Sequence, residues 1–128
     1  MSKLALAPLV LLLALLSCRA IGEDASLSHA SMGFWQMTSD EDNGPLGEIV
    51  EFRSNGTYIA YDKNCDDFPP LPLHVYAGDL YVTSVLPGKG PVSIVYHPSD
   101  DGKTLSYTSP RTRNNAYFSR VVSCTPRP

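Results

Sequence analysis

From Gly33 onward, short β-branched and aromatic runs recur every eight to twelve residues between glycine, proline and asparagine signals, and no window keeps a helical period for three turns. That rhythm restricts the chain to an all-β sandwich or barrel. The clearest unit is EIVEFRSNGTYIAYDK, in which Asn55-Gly56 marks a hairpin, because a two-residue type I′ loop needs positive φ at both positions. Folding about it pairs Arg53 with Tyr58, Phe52 with Ile59, Glu51 with Ala60 and Val50 with Tyr61. Alternation then predicts Val50, Phe52, Ile59 and Tyr61 on a buried face, with Glu51, Arg53 and Tyr58 on a wet one.

LPLHVYAGDLYVTSV predicts a second hairpin about Gly78-Asp79, with a leading glycine suited to a type II′ turn; it pairs Ala77 with Leu80, Tyr76 with Tyr81, Val75 with Val82 and His74 with Thr83. VSIVYH (92 to 97), KTLSYTS (103 to 109) and AYFSRVVSC (116 to 124) follow, separated by PGKGP, PSDDG and PRTRNN. With FWQMT at the start these make eight strands on short connections, enough to close an antiparallel up-and-down barrel and abolish exposed edges.

The first 22 of 128 residues read differently. Lys3 precedes the apolar run Leu4 to Leu16, short for a membrane span and right for the hydrophobic region of a secretory signal. Two processing sites remain open: Ala20-Ile21-Gly22 for an ordinary signal peptidase, and Leu15-Leu16-Ser17-Cys18, which resembles a bacterial lipobox that would lipidate Cys18. Residues 23 to 32 are mostly small and polar and read as a tether ahead of a domain at 33 to 128.

Charge excludes some partners. Past the leader, eight basic residues (ten less Lys3 and Arg19) face thirteen acids, a formal charge of −5 that disfavours nucleic acid and anionic lipid surfaces. Membrane contact is expected only through a lipid on Cys18. Cys65 and Cys124 remain as an even pair in an exported chain, which predicts a disulfide closing a loop of about 60 residues. Such a bridge contributes roughly 3 to 4 kcal/mol.

At this point a family comes into view. Gly33-Phe34-Trp35 resembles the G-x-W signature of lipocalins, and EFRSNGTY (51 to 58) resembles the F-x-x-[DN]-G-T-[YF] hairpin of small bacterial lipocalin-like domains. The resemblance implies a barrel whose late arginine lies over the tryptophan and seals one end, a place that Arg120 occupies. A stacked guanidinium contributes roughly 0.5 to 2 kcal/mol. The chain is shorter than a typical lipocalin, lacks the helix expected near the last strand and carries an unusual FPPLPL loop. Eight strands leave room for little more than a small ligand.

Chemistry-bearing patterns are sparse. His29, His74 and His97 lack metal spacing, neither remaining cysteine lies in a C-x-x-C, and no cofactor or metal is expected. Asp40-Glu41-Asp42-Asn43-Gly44 is out of register for an EF-hand, with glycine fifth and Pro45 after it, and reads as a solvated acidic turn; calcium on some other arrangement of these oxygens stays open. Asn55-Gly56-Thr57 also has the form of a glycosylation sequon, but a bacterial-looking leader favours the turn. No nucleophile elbow or marked carboxylate pair gives catalysis positive support, so a non-enzymatic protein is expected.

What remains is recognition by loops. Phe68 and Leu71 lie in a stiff, proline-rich loop beside Cys65, and Arg111, Arg113 and Asn114 lie in the connection to the last strand. Small single-disulfide exported β-domains resemble bacterial lysozyme inhibitors and the immunity proteins that block toxins delivered by type VI secretion. That resemblance implies a periplasmic protein, soluble or lipid-anchored, whose partner is a toxin or hydrolase. The competing expectation is a carrier for a small apolar ligand lined by Val50, Phe52, Ile59, Tyr61 and Leu105.

Overall fold

The computed structural model describes residues 29–128 apart from Lys89; the expected leader, the lipobox at 15–18 with Cys18 and the tether up to residue 28 lie outside the described residues. A 3-10 turn at His29–Ser31 leads into β1 (Gly33–Asp40), β2 (Ile49–Arg53), β3 (Thr57–Tyr61), β4 (Leu71–Tyr76), β5 (Asp79–Leu86), β6 (Gly90–Pro98), β7 (Thr104–Thr108) and β8 (Asn115–Val121). Each strand pairs antiparallel with its neighbours in sequence, and β1 closes on β8. Eight strands in up-and-down order agree with the sequence expectation, although β8 stops at Val121 and leaves Val122 to Pro128 as a tail.

The pairing is uneven around the barrel. Within the single closed sheet, β7, β8, β1, β2 and β3 are joined by longer ladders on one side, and β4, β5 and β6 on the other. The seams between them are short: β3 meets β4 only at Thr57↔Pro72 and Tyr58↔Leu71, and β6 meets β7 only from Tyr96↔Tyr107 to Pro98↔Leu105. Alternate residues point inward and fill the lumen. Trp35, Phe52, Val82, Tyr96, Leu105 and Phe118 are each 5% exposed or less. Burying each such side chain contributes roughly 1.5 to 3 kcal/mol before entropy is counted. Phe52, Tyr58 and Phe118 ring Tyr96 with centroids 5.2 to 5.9 Å away. The Tyr58 and Tyr96 hydroxyls share a hydrogen bond of 3.0 Å, so neither is buried without a polar partner.

Two hairpin registers differ from the sequence expectation. At Asn55-Gly56 the loop has three residues, with Arg53 opposite Thr57, Phe52 opposite Tyr58 and Glu51 opposite Ile59. Only Gly56 takes positive φ (82°), and its N–H donates to Arg53 O, as in a type I turn followed by a left-handed glycine. A slip of one residue exchanges the faces of β3. Tyr58 and Ala60 therefore join the inner cluster, while Ile59 and Tyr61 share the outer face with Ile49 and Glu51. The second turn uses Ala77-Gly78, both at positive φ (51° and 83°), so the loop is type I′ rather than II′. Here the partner moves by two, Val75 facing Leu80 instead of Val82, and the faces are preserved.

The outer face of β2 and β3 is not wet. Ile49 and Ile59 are 1% and 3% exposed, and Phe34 stacks beside Tyr61 at 5.8 Å. The tail runs past this side of the barrel, from Val121, the partner of Phe34, to the opposite end, where Arg127 N–H donates to Lys63 O and its side chain lies against Gly47. The expected disulfide staples it there, joining Cys65 in the β3–β4 loop to Cys124 with a Cα separation of 5.8 Å.

The end of the barrel where β1 begins is sealed by Trp35 and Arg120. They are direct cross-strand partners, and the Arg120 guanidinium carbon stands 4.4 Å from the indole centroid. Trp35 Nε1–H donates to Ser31 O at 3.0 Å, and Arg120 donates to Met32 O at 2.7 Å and to Ala30 O. Residues 30 to 32 are thus a plug rather than the end of a tether, and the domain begins before Gly33. A side chain at Gly33 would crowd Arg120 Nη1, which an added Cβ would meet at 3.3 Å, and its φ of 111° suits glycine alone.

Candidate binding surface

In an up-and-down barrel the β1–β2, β3–β4, β5–β6 and β7–β8 connections share one rim, opposite the Trp35 seal. The acidic turn after β1 is the organiser of that rim. The Asp40 carboxylate accepts from the N–H groups of Asp42 and Gly44, an Asx-type arrangement that turns the chain on itself. Asp42 reaches across to the β7–β8 loop, accepting from Asn114 Nδ2 at 2.7 Å and Thr112 Oγ1 at 2.8 Å. Those two donors, the amide first, hold the Asp42 carboxyl below the usual carboxylate range, with Arg111 adding a smaller pull. Glu41 completes the brace through the Asn115 N–H, while its own N–H donates to Asn115 O. Among the described residues, no group of three His, Cys, Asp or Glu side chains is placed to hold a metal ion.

The brace separates the residues expected to make contacts. Asn114 spends its amide on Asp42 and is a structural residue of the rim. Arg111 and Arg113 are exposed, and among the described residues neither forms an ion pair. Arg113 holds φ of 66°, with its N–H fixed to Ser109 O, so the guanidinium starts from a constrained backbone. On the β3–β4 side, Phe68 is 53% exposed and its N–H is anchored on Ala60 O. Leu71, in contrast, is already in β4, half-buried and packed against the barrel core.

One concave feature lies below this rim. A groove of about 240 Å³ opens where β6 and β7 part, with Ser93, Val95 and His97 on one bank and Thr108, Pro110 and Arg113 on the other. His97 Nδ1 meets Asp79 at 2.9 Å, which turns that imidazole toward β5. No local pattern marked the β6 residues as a site, because the groove exists only through the early end of β6–β7 pairing. Exposed apolar side chains continue up the β5–β6 hairpin, with Val85 72% and Val92 37% exposed. No family model, curated protein or solved structure matches this chain.

Proposed function

We propose that this chain is a non-enzymatic binding protein that works through its outer surface, occluding a protein partner in the manner of periplasmic inhibitors and immunity proteins. The observation that carries this reading is the filled lumen. Tyr96 stands among Phe52, Tyr58, Tyr107 and Phe118 at ring-contact distances, and that packing opposes a carrier role, since three of the five expected lining residues are themselves core and Ile59 and Tyr61 face outward. Recognition then falls to the exterior, where a rim braced by Asp42 presents Arg111 and Arg113 with little flexibility left to lose on binding. The cationic β7–β8 loop, on a chain of net charge −3, selects an acidic group on the partner. The Cys65–Cys124 bridge suits an oxidising compartment, and we extend that to the periplasm, with a lipocalin-like origin for the barrel.

The test is capture by the immobilised domain from periplasmic extract. A retained protein should be lost when Arg111 and Arg113 are both replaced by glutamate, with the melting temperature of the domain unchanged. Retention undiminished by the double substitution, or no retained protein at all, would refute the assignment.

A further inference from the structure

We propose that the gap between β6 and the β7–β8 loop is a docking slot for an extended segment of the protein partner, which adds as a strand along β6 and sets a carboxylate against Arg113. The inference rests on the reading of the chain as a partner-binding protein and specifies how the partner is held.

The starting observation is an unfinished edge. β6 runs from Gly90 to Pro98, yet only Tyr96, His97 and Pro98 have partners on β7. On its other side β6 is paired with β5 from Leu80↔Tyr96 to Leu86↔Gly90. In an antiparallel strand alternate residues direct N–H and C=O to opposite neighbours. Ser99 N–H donates to Thr104 O on the β7 side, so the residues in phase with it, His97, Val95 and Ser93, address that side as well. Tyr96 still faces Tyr107, a pair whose flanking ladder bonds use His97 N–H and Val95 C=O, so the groups left without a β7 partner are Val95 N–H and the N–H and C=O of Ser93, which border the groove. Unpaired donors and acceptors at strand spacing are what an added strand recognises. Pro91, which has no N–H, ends the usable edge near the hairpin tip, leaving Val92 to Val95, roughly 13 Å of strand at about 3.3 Å per residue.

The far bank chooses the occupant. Arg113 is exposed there and, among the described residues, without an acidic partner. A second copy of this chain pairing edge to edge would bring its own β6, GPVSIVYHP, which contains no carboxylate. An extended segment with alternating apolar residues and an aspartate or glutamate satisfies both the backbone groups and the guanidinium.

The experiment is selection of displayed random peptides on the disulfide-bonded domain, followed by affinity measurement with a synthetic peptide from the enriched set. Enriched peptides are expected to alternate β-branched residues and to carry an acid. Arg113→Glu should weaken binding about tenfold or more without lowering the melting temperature. Methylating alternate backbone nitrogens of the peptide should do the same in one phase and not in the other, and amide shifts should concentrate at Ser93 and Val95. Absence of enriched peptides, or binding indifferent to both Arg113→Glu and backbone methylation, overturns strand addition and leaves capture of a whole partner by the rim standing. A dimer of the free domain that holds through β6 also overturns it, in favour of a second copy. Loss of partner capture with peptide binding intact would instead strike the occlusion reading.

Discussion

Ala77 holds a left-handed backbone, φ 51°, in the two-residue turn between β4 and β5, a region that costs an alanine roughly 1 kcal/mol and suits asparagine. Its neighbour Gly78 already fits, and an added Cβ at Gly78 would meet nothing within 4 Å, so the loop is strained by residue type rather than by crowding. Replacing Ala77 with asparagine is expected to raise stability by about 0.5 to 1 kcal/mol. Denaturant titration of the two proteins decides it, and an unchanged or lowered midpoint would contradict the turn assignment. At the same scale, Asp42 shows how one side chain does structural work that its own neighbourhood in sequence does not announce. Its partners Thr112 and Asn114 are 70 and 72 positions away, so only the closure of β1 on β8 brings them together.

Among the elements, the two hairpins show where the sequence is informative and where it stops. Asn-Gly locates a turn reliably because glycine tolerates positive φ, but the same dipeptide serves a two-residue or a three-residue loop, and the choice decides which face of β3 is inside. The three-residue solution wins here by placing Tyr58 where its hydroxyl finds Tyr96, a partner 38 positions further on. Strand number, antiparallel order, the Trp35–Arg120 seal and the Cys65–Cys124 pairing were all legible, since each is marked by composition or motif. The groove was not, because the parting of two strands has no residue signature. The tail was also missed: AYFSRVVSC reads as one strand, whereas only its first part pairs and the rest runs on past the side of the barrel. That tail carries a prediction. Cys65→Ser with Cys124→Ser should cost roughly 3 to 4 kcal/mol through the freed 59-residue span, and should also uncover Ile49 and Ile59. Denaturation with and without reductant, together with binding of a hydrophobic dye below the unfolding transition, measures the two effects; no dye binding would mean that those side chains stay buried without the staple.

For the molecule as a whole, a lumen closed over tyrosine hydroxyls sets the alkaline limit of the fold. Burial pushes Tyr58 up to about 12, against the lowering effect of its hydrogen bond to Tyr96, and burial pushes Tyr96 well above its ordinary value. A raised folded value means that the native state keeps protons that the unfolded chain gives up above about pH 10, so stability is intact below that pH and declines above it, by about 1.4 kcal/mol per pH unit for each such tyrosine. Spectrophotometric titration should therefore show at least two of the seven tyrosines ionising only as the barrel opens. Smooth ionisation of all seven near pH 10 in the folded protein would deny the sealed lumen. The plug at residues 30 to 32 has a different consequence. It fixes the front of the domain at the pole opposite the Asp42 brace, so a graft, tag or tether joined ahead of His29 holds the molecule by its foot and displays Arg111, Arg113 and Phe68 outward, toward whatever approaches from solution.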